Sequence, residues 1–136
     1  MGTAVLYSSL PRGVRNNNPL NIRKGQSWNG LAPVQLDSNF DTFVTPLYGF
    51  RAAARIIKGA YHQRGVITLQ QVITEWAPPS ENPTTQYIEF VADKAQISPA
   101  DDAVDYLPRV LWAMAQYEQG ADYYGLAMAE QGAKLA

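Results

Sequence analysis

The sequence contains no cysteine and a single histidine, His62. A Cys-rich zinc site and a disulfide framework are thereby excluded, and a serine or thiol triad would have only that one imidazole to use. Neither a metal nor another cofactor is expected. No stretch approaches the roughly 20 consecutive apolar residues that cross a bilayer, so membrane insertion is not expected either. The opening MGTAVLYSSLPRGVR sets its basic residues after a short apolar patch, the reverse of an export signal. The 10 Gly and 9 Pro are too few and too scattered for a fibrous or low-complexity chain, and 46% hydrophobic residues are too many for disorder. At 136 residues the expectation is one domain, residues 1–136.

The net charge of -1 conceals an uneven distribution. Residues 1–68 carry eight Arg and Lys against Asp37 and Asp41, a balance of +6, whereas the remainder carries three against ten, a balance of -7. Such halves attract each other across a cleft, or present a basic face to an anionic polymer. Nucleic acid is disfavoured as that polymer, because the basic residues are interleaved with Asn and Gly and the pI is only about 5.7.

Asn, Gly, Pro and Ser dominate the first 46 residues, with β-leaning pieces at Asn21–Arg23, Val34–Leu36 and Phe40–Val44. Loops and a small sheet or hairpin are expected there. From Leu47 the period becomes helical: Phe50, Ala53, Ala54, Ile57 and Tyr61 share a face opposite Arg51, Arg55 and Lys58, ending near Arg64-Gly65. A second helix, capped by Thr68, runs to Trp76, where Ala77-Pro78-Pro79 stops it. A third starts near Thr84 and turns Tyr87, Ile88, Val91 and Ala95 inward, with Ser98-Pro99 opening the next turn. The fourth covers Tyr106–Gln119 before Gly120, and Asp122 is expected to cap a fifth ending near Glu130. The fold class is thus mainly α (α+β), a small β region followed by about five helices.

Three segments carry candidate chemistry. In the fourth helix Leu107, Leu111, Met114 and Glu118 fall on one stripe, so a carboxylate ends an apolar row. Burial and the negative end of the helix dipole both favour its protonated form. A carboxylic acid that keeps its proton near neutral pH is what cleavage of a glycosidic bond requires of a general acid. A solvated Glu at a frayed helix end is the alternative. The second segment, Arg12 to Arg23, holds Asn16, Asn17, Asn18 and Asn21, which serve tight turns or bind the hydroxyls and amides of a sugar. The third, Trp76 to Tyr87, gathers Trp76, Glu81, Asn82 and Tyr87 on a Pro-stiffened loop that suits a carbohydrate groove or a plain helix-to-helix corner.

Taken together, the run RGVRNNNPLNIR, the Trp28-Asn29-Gly30 loop, Phe40-Asp-Thr-Phe43, Gly49-Phe-Arg-Ala-Ala-Ala54, Trp76-Ala-Pro-Pro-Ser-Glu-Asn-Pro-Thr84 and Ala113-Met-Ala-Gln-Tyr-Glu-Gln-Gly120 resemble a family of phage virion and prophage proteins with a lysozyme-like, peptidoglycan-degrading fold. The middle of the chain is also similar to bacterial glucosaminidases. In those enzymes the Glu-bearing helix precedes the Asn-rich and β segments; here only fifteen residues precede Asn16, and the similar helix is Ala113–Gly120. The resemblance therefore implies a circularly permuted lysozyme-like fold, permutation being tolerated where termini lie together at the surface.

The implied activity is that of a muramidase or lytic transglycosylase cutting the β-1,4 bond between N-acetylmuramic acid and N-acetylglucosamine. Glu118 would be its general acid, Glu81 the second acid with Asp41 as runner-up, and Asn18, Asn21, Tyr87 and Trp76 the substrate-binding residues. Alternation with Phe40 and Phe43 also allows Asp41 to mark a solvent face. Peptidoglycan and phage virion proteins are the implied partners. A chain made in the bacterial cytoplasm would reach the cell wall with a phage particle, through a holin lesion or by a secretion apparatus. A non-catalytic virion or tail component that binds peptidoglycan is the competing expectation.

Overall fold

A computed structural model describes residues 9–136. The expectation drawn from the first eight residues lies outside them. Six α-helices follow one another: α1 (Arg12–Arg15), α2 (Pro46–Ile56), α3 (Leu69–Trp76), α4 (Thr84–Ala95), α5 (Leu107–Gln119) and α6 (Leu126–Lys134). The protein is mainly helical, and no helix among the described residues is long and apolar enough to cross a membrane.

Each helix starts and stops for local reasons. Thr45 caps α2 by accepting from the Leu47 amide, and Pro46 supplies a first residue that needs no donor. The helix continues past Ile56 through one widened π turn, Ile57–Tyr61. Thr68 and Gln71 close a capping box on α3. Gly120, at φ 83, ends α5 in the left-handed conformation that costs glycine nothing. Two expected starts differ. Asp122 does not cap α6; its Oδ1 accepts from the Tyr124 and Gly125 amides and shapes the turn ahead of a helix that begins at Leu126 and runs to Lys134. Ser98-Pro99 opens a turn, and the short 3-10 helix Ala103–Tyr106 is capped instead by Asp102.

The expected small sheet is absent among the described residues. Residues 21–45 form irregular chain with two isolated antiparallel bridges, Arg23 to Phe40 and Leu31 to Phe43. Side chains take the backbone groups that a continuous ladder would use. Gln35 donates to the Ala32 and Thr42 carbonyls and accepts from the Thr42 amide, Thr42 Oγ1 accepts from the Leu36 amide, and Asp37 Oδ1 accepts from the Asn39 and Phe40 amides.

The core lies between the helices. Phe50, Ile57, Leu69, Ile73, Tyr87, Val91, Leu111 and Met114 are all buried, and Phe43 and Leu20 carry the irregular region into the same cluster. The helix α6 lies tight on α2 because Gly132 has no side chain: a Cβ there would strike Phe50 and the backbone of Leu47 and Arg51. Meanwhile α5 packs against α4 and α6, which brings its last turn under the Asn-rich loop.

Candidate functional site

The Asn-rich loop is built by its own amides. Asn17 and Asn21 adopt left-handed φ values of 50 and 53, a conformation that Asn tolerates better than most residues. Asn18 is fully buried; its Nδ2 donates to the Ile22 and Asp41 carbonyls, each at 2.9 Å, and its Oδ1 accepts from the Ile22 amide. Asn16 donates to Asp37 and accepts from Thr42 Oγ1, and Asn17 donates to the Phe43 carbonyl. Three of the four asparagines therefore hold the irregular chain to itself.

Only Asn21 reaches across. Its Nδ2 donates to Glu118 Oε1 at 2.8 Å, joining residues 97 positions apart. From the other side the Tyr87 hydroxyl donates to Glu118 Oε2, also at 2.8 Å. Tyr87 is held inside α4 with its ring stacked on Tyr117 at 4.0 Å between centroids. Burial pushes the half-buried Glu118 carboxyl above the ordinary carboxylate range, against the two hydrogen bonds, which pull it down. Burial, reinforced by the Glu118 charge, likewise raises the Tyr87 phenol well above its ordinary value, so it remains a donor.

The neighbouring Gln119 orients this arrangement. Its buried Nε2 donates to the Pro19 carbonyl at 2.9 Å and, more weakly, to Asn21 Oδ1 at 3.4 Å. The second contact turns the Asn21 amide so that its NH2 faces Glu118. Gly13 permits the approach, since a Cβ there would collide with Gln119 and Asn21. Sequence reasoning missed both residues; the signal was a Gln beside the stripe Glu, which has no periodicity of its own.

Glu118 opens into a cavity of about 250 Å³ that Asn21, Arg23, Phe40, Trp76 and Glu81 also line. Glu81 is exposed on the 77–83 loop, where its amide donates to the Pro78 carbonyl and Thr84 Oγ1 ties the loop base to the Ala77 carbonyl. A second cavity of about 390 Å³ shares Asn21, Arg23 and Trp76 with the first and continues to Trp28 and Tyr61. The half-buried Trp76 stands at their junction, its ring edge-on to Tyr61. The two cavities make one groove with an acidic end and an aromatic end.

Three sequence-based placements need correction. Asn18 is withdrawn from the groove, because it has no exposed surface with which to touch a ligand. Tyr87 is 2% exposed, so it has almost no surface with which to touch a ligand, and its hydroxyl donates to Glu118. Asp41 marks no solvent face: it is 4% exposed and lies outside the lining of both cavities, with Oδ2 unpartnered and burial raising its carboxyl. Glu118, Asn21, Trp76 and Glu81 do come together.

No family model matches the sequence. Over 118 residues the chain is 41% identical to Protein P5 of Pseudoalteromonas phage PM2, an alignment covering 83% of this chain and 74% of the phage protein. At that identity and coverage, the chain belongs to the family of phage PM2 Protein P5.

Proposed function

We propose that the protein cleaves peptidoglycan glycan strands at the β-1,4 bond between N-acetylmuramic acid and N-acetylglucosamine, with Glu118 as general acid, on a circularly permuted lysozyme-like fold. The observation that carries this reading is the Glu118 clasp. A carboxyl raised by burial opens into a groove, fixed on one oxygen by Asn21 and on the other by Tyr87. Such a group is suited to protonating the leaving oxygen of an oxocarbenium-like transition state. Glu81, across the same cavity, is the group for activating water in a hydrolase. In a transglycosylase the muramic 6-hydroxyl attacks internally and Glu118 suffices. Trp76, Trp28 and Tyr61 offer apolar faces for sugar rings beyond the acidic end. Kinship with a phage protein supports action at a host cell wall reached with the particle or during lysis.

The test is a murein digest with the wild-type chain and with Glu118→Gln, reading the products by mass spectrometry. Reducing ends identify a hydrolase, whose rate Glu81→Gln lowers; 1,6-anhydro ends identify a transglycosylase, which Glu81→Gln barely affects. A folded Glu118→Gln variant with full activity overturns the assignment. Retention on insoluble murein without cleavage by the wild type replaces the enzyme with a peptidoglycan-binding virion component.

A further inference from the structure

Two arginines lie over the ring of Phe40, and they differ in what their charge meets. Arg12, 4.7 Å from the ring centroid, is tied through two nitrogens to the Asp37 carboxylate at 2.5 and 2.7 Å, which holds that carboxyl well below the ordinary range. Its charge is spent within the fold. Arg23, 5.1 Å from the centroid, has no carboxylate within ion-pair distance among the described residues, although Glu81 and Glu118 line the same cavity. Its backbone is fixed by the bridge to Phe40, and its exposed side chain lines both cavities. Next to it, Lys24 donates to the neutral Gln35 amide. The groove thus carries an uncommitted, pre-positioned guanidinium at the junction between its acidic and aromatic ends.

We infer that Arg23 is a specificity residue that pairs with a carboxylate carried by the saccharide beside the bond to be cut. This rests on the saccharide-cleaving reading above and adds the substituent the groove selects. A guanidinium stacked on an aromatic ring has few rotamers left to lose, and its planar fork matches a carboxylate through two parallel N–H donors. A neutral glycan would leave that fork in water and gain nothing from it. In murein the carboxylate has two sources, the lactyl group of a muramic acid that bears no peptide and, where the lactyl is amide-linked, the carboxylates of the attached stem peptide.

Binding separates them. In the Glu118→Gln background, affinities are measured for three ligands of equal length: a chito-oligosaccharide, which is neutral; glycan strands stripped of peptide, which expose lactyl carboxylates; and peptide-bearing strands. The expected result is a preference for one or both anionic strands that Arg23→Gln reduces roughly tenfold, the scale of a charge-assisted bidentate pair, and that Arg23→Lys partly keeps. The stripped strands being preferred assigns the lactyl carboxylate; the peptide-bearing strands being preferred assigns the stem. Equal binding of all three ligands, or a preference surviving in Arg23→Gln, overturns the role of Arg23 and leaves the cleavage proposal standing. Loss of the preference to the same degree in Lys24→Gln also overturns it, since a diffuse positive field would then be responsible. Failure to bind any of the saccharides overturns the cleavage proposal along with it.

Discussion

Residues 9–45 and residues 46–136 are held together by different forces. The second region is a packed set of helices whose buried Phe50, Leu111, Met114 and Val91 follow a helical period. The first has few buried apolar side chains and no continuous ladder; Asn17, Asn18, Gln35 and Asp37 fix its backbone one hydrogen bond at a time, and Asn16 links the Asp37 and Thr42 side chains. Apolar packing tolerates volume-conserving substitution, whereas each of these polar side chains has one geometry. The contrast suits a site assembled at the seam: the helical region supplies a carboxyl whose proton burial favours, and the irregular region supplies the donor that orients it.

One substitution in each region separates the two kinds of cohesion. Phe50→Ala removes a fully buried ring shared by α2 and α6 and is expected to cost about 3–5 kcal/mol of global stability by urea denaturation. At the seam, if Glu118 is the general acid of the proposed murein cleavage, Glu118→Gln is expected to lower that activity by about 10²–10⁴-fold, the usual contribution of a general acid, with an unchanged circular dichroism spectrum. In the irregular region Asn18→Ala leaves the buried Ile22 amide without its side-chain acceptor. It is expected to cost roughly 1–3 kcal/mol, with hydrogen exchange accelerated in residues 16–45 before the helices.

A smaller effect concerns Asp41. Its folded pKa is raised by burial, so the group favours the folded state below its unfolded pKa, and that advantage is lost as pH rises through the folded value. Asp41→Asn is therefore expected to raise Tm at pH 7, with the difference from wild type closing as pH falls below the ordinary carboxylate range. An unchanged difference at all pH values would show that the carboxyl is not desolvated.

How far the sequence could be read follows the same division. The bounds of α3 and α5 and the start of α4 were legible because a capping residue, prolines and Gly120 sit where the apolar period begins and ends, whereas α4 stops at a left-handed Gln96 that carries no such signal. Glu118 was legible as a carboxylate at the end of an apolar stripe. The irregular region was not, because alternation at Phe40–Val44 looks the same whether its amides bond to a neighbouring strand or to the Asp37 and Gln35 side chains. Nor could Asn18 and Asn21 be told apart: four similar side chains in one loop differ in role only through the direction each takes in space. Asp41 was misplaced because alternation gives two faces without saying which one is buried. Arg23 gave no sign, since the contrast with Arg12 depends on Asp37, 25 residues from Arg12.

Burial, opposed by Asn21 and Tyr87, is expected to leave Glu118 with its proton at higher pH than an ordinary glutamate. A carbon-13 NMR titration of the Glu118 side-chain carboxyl tests it without substrate. The expected midpoint lies above the ordinary carboxylate range and rises further in Tyr87→Phe, where a hydrogen bond favouring the charged form is lost. A midpoint within the ordinary range, unmoved by Tyr87→Phe, would contradict it.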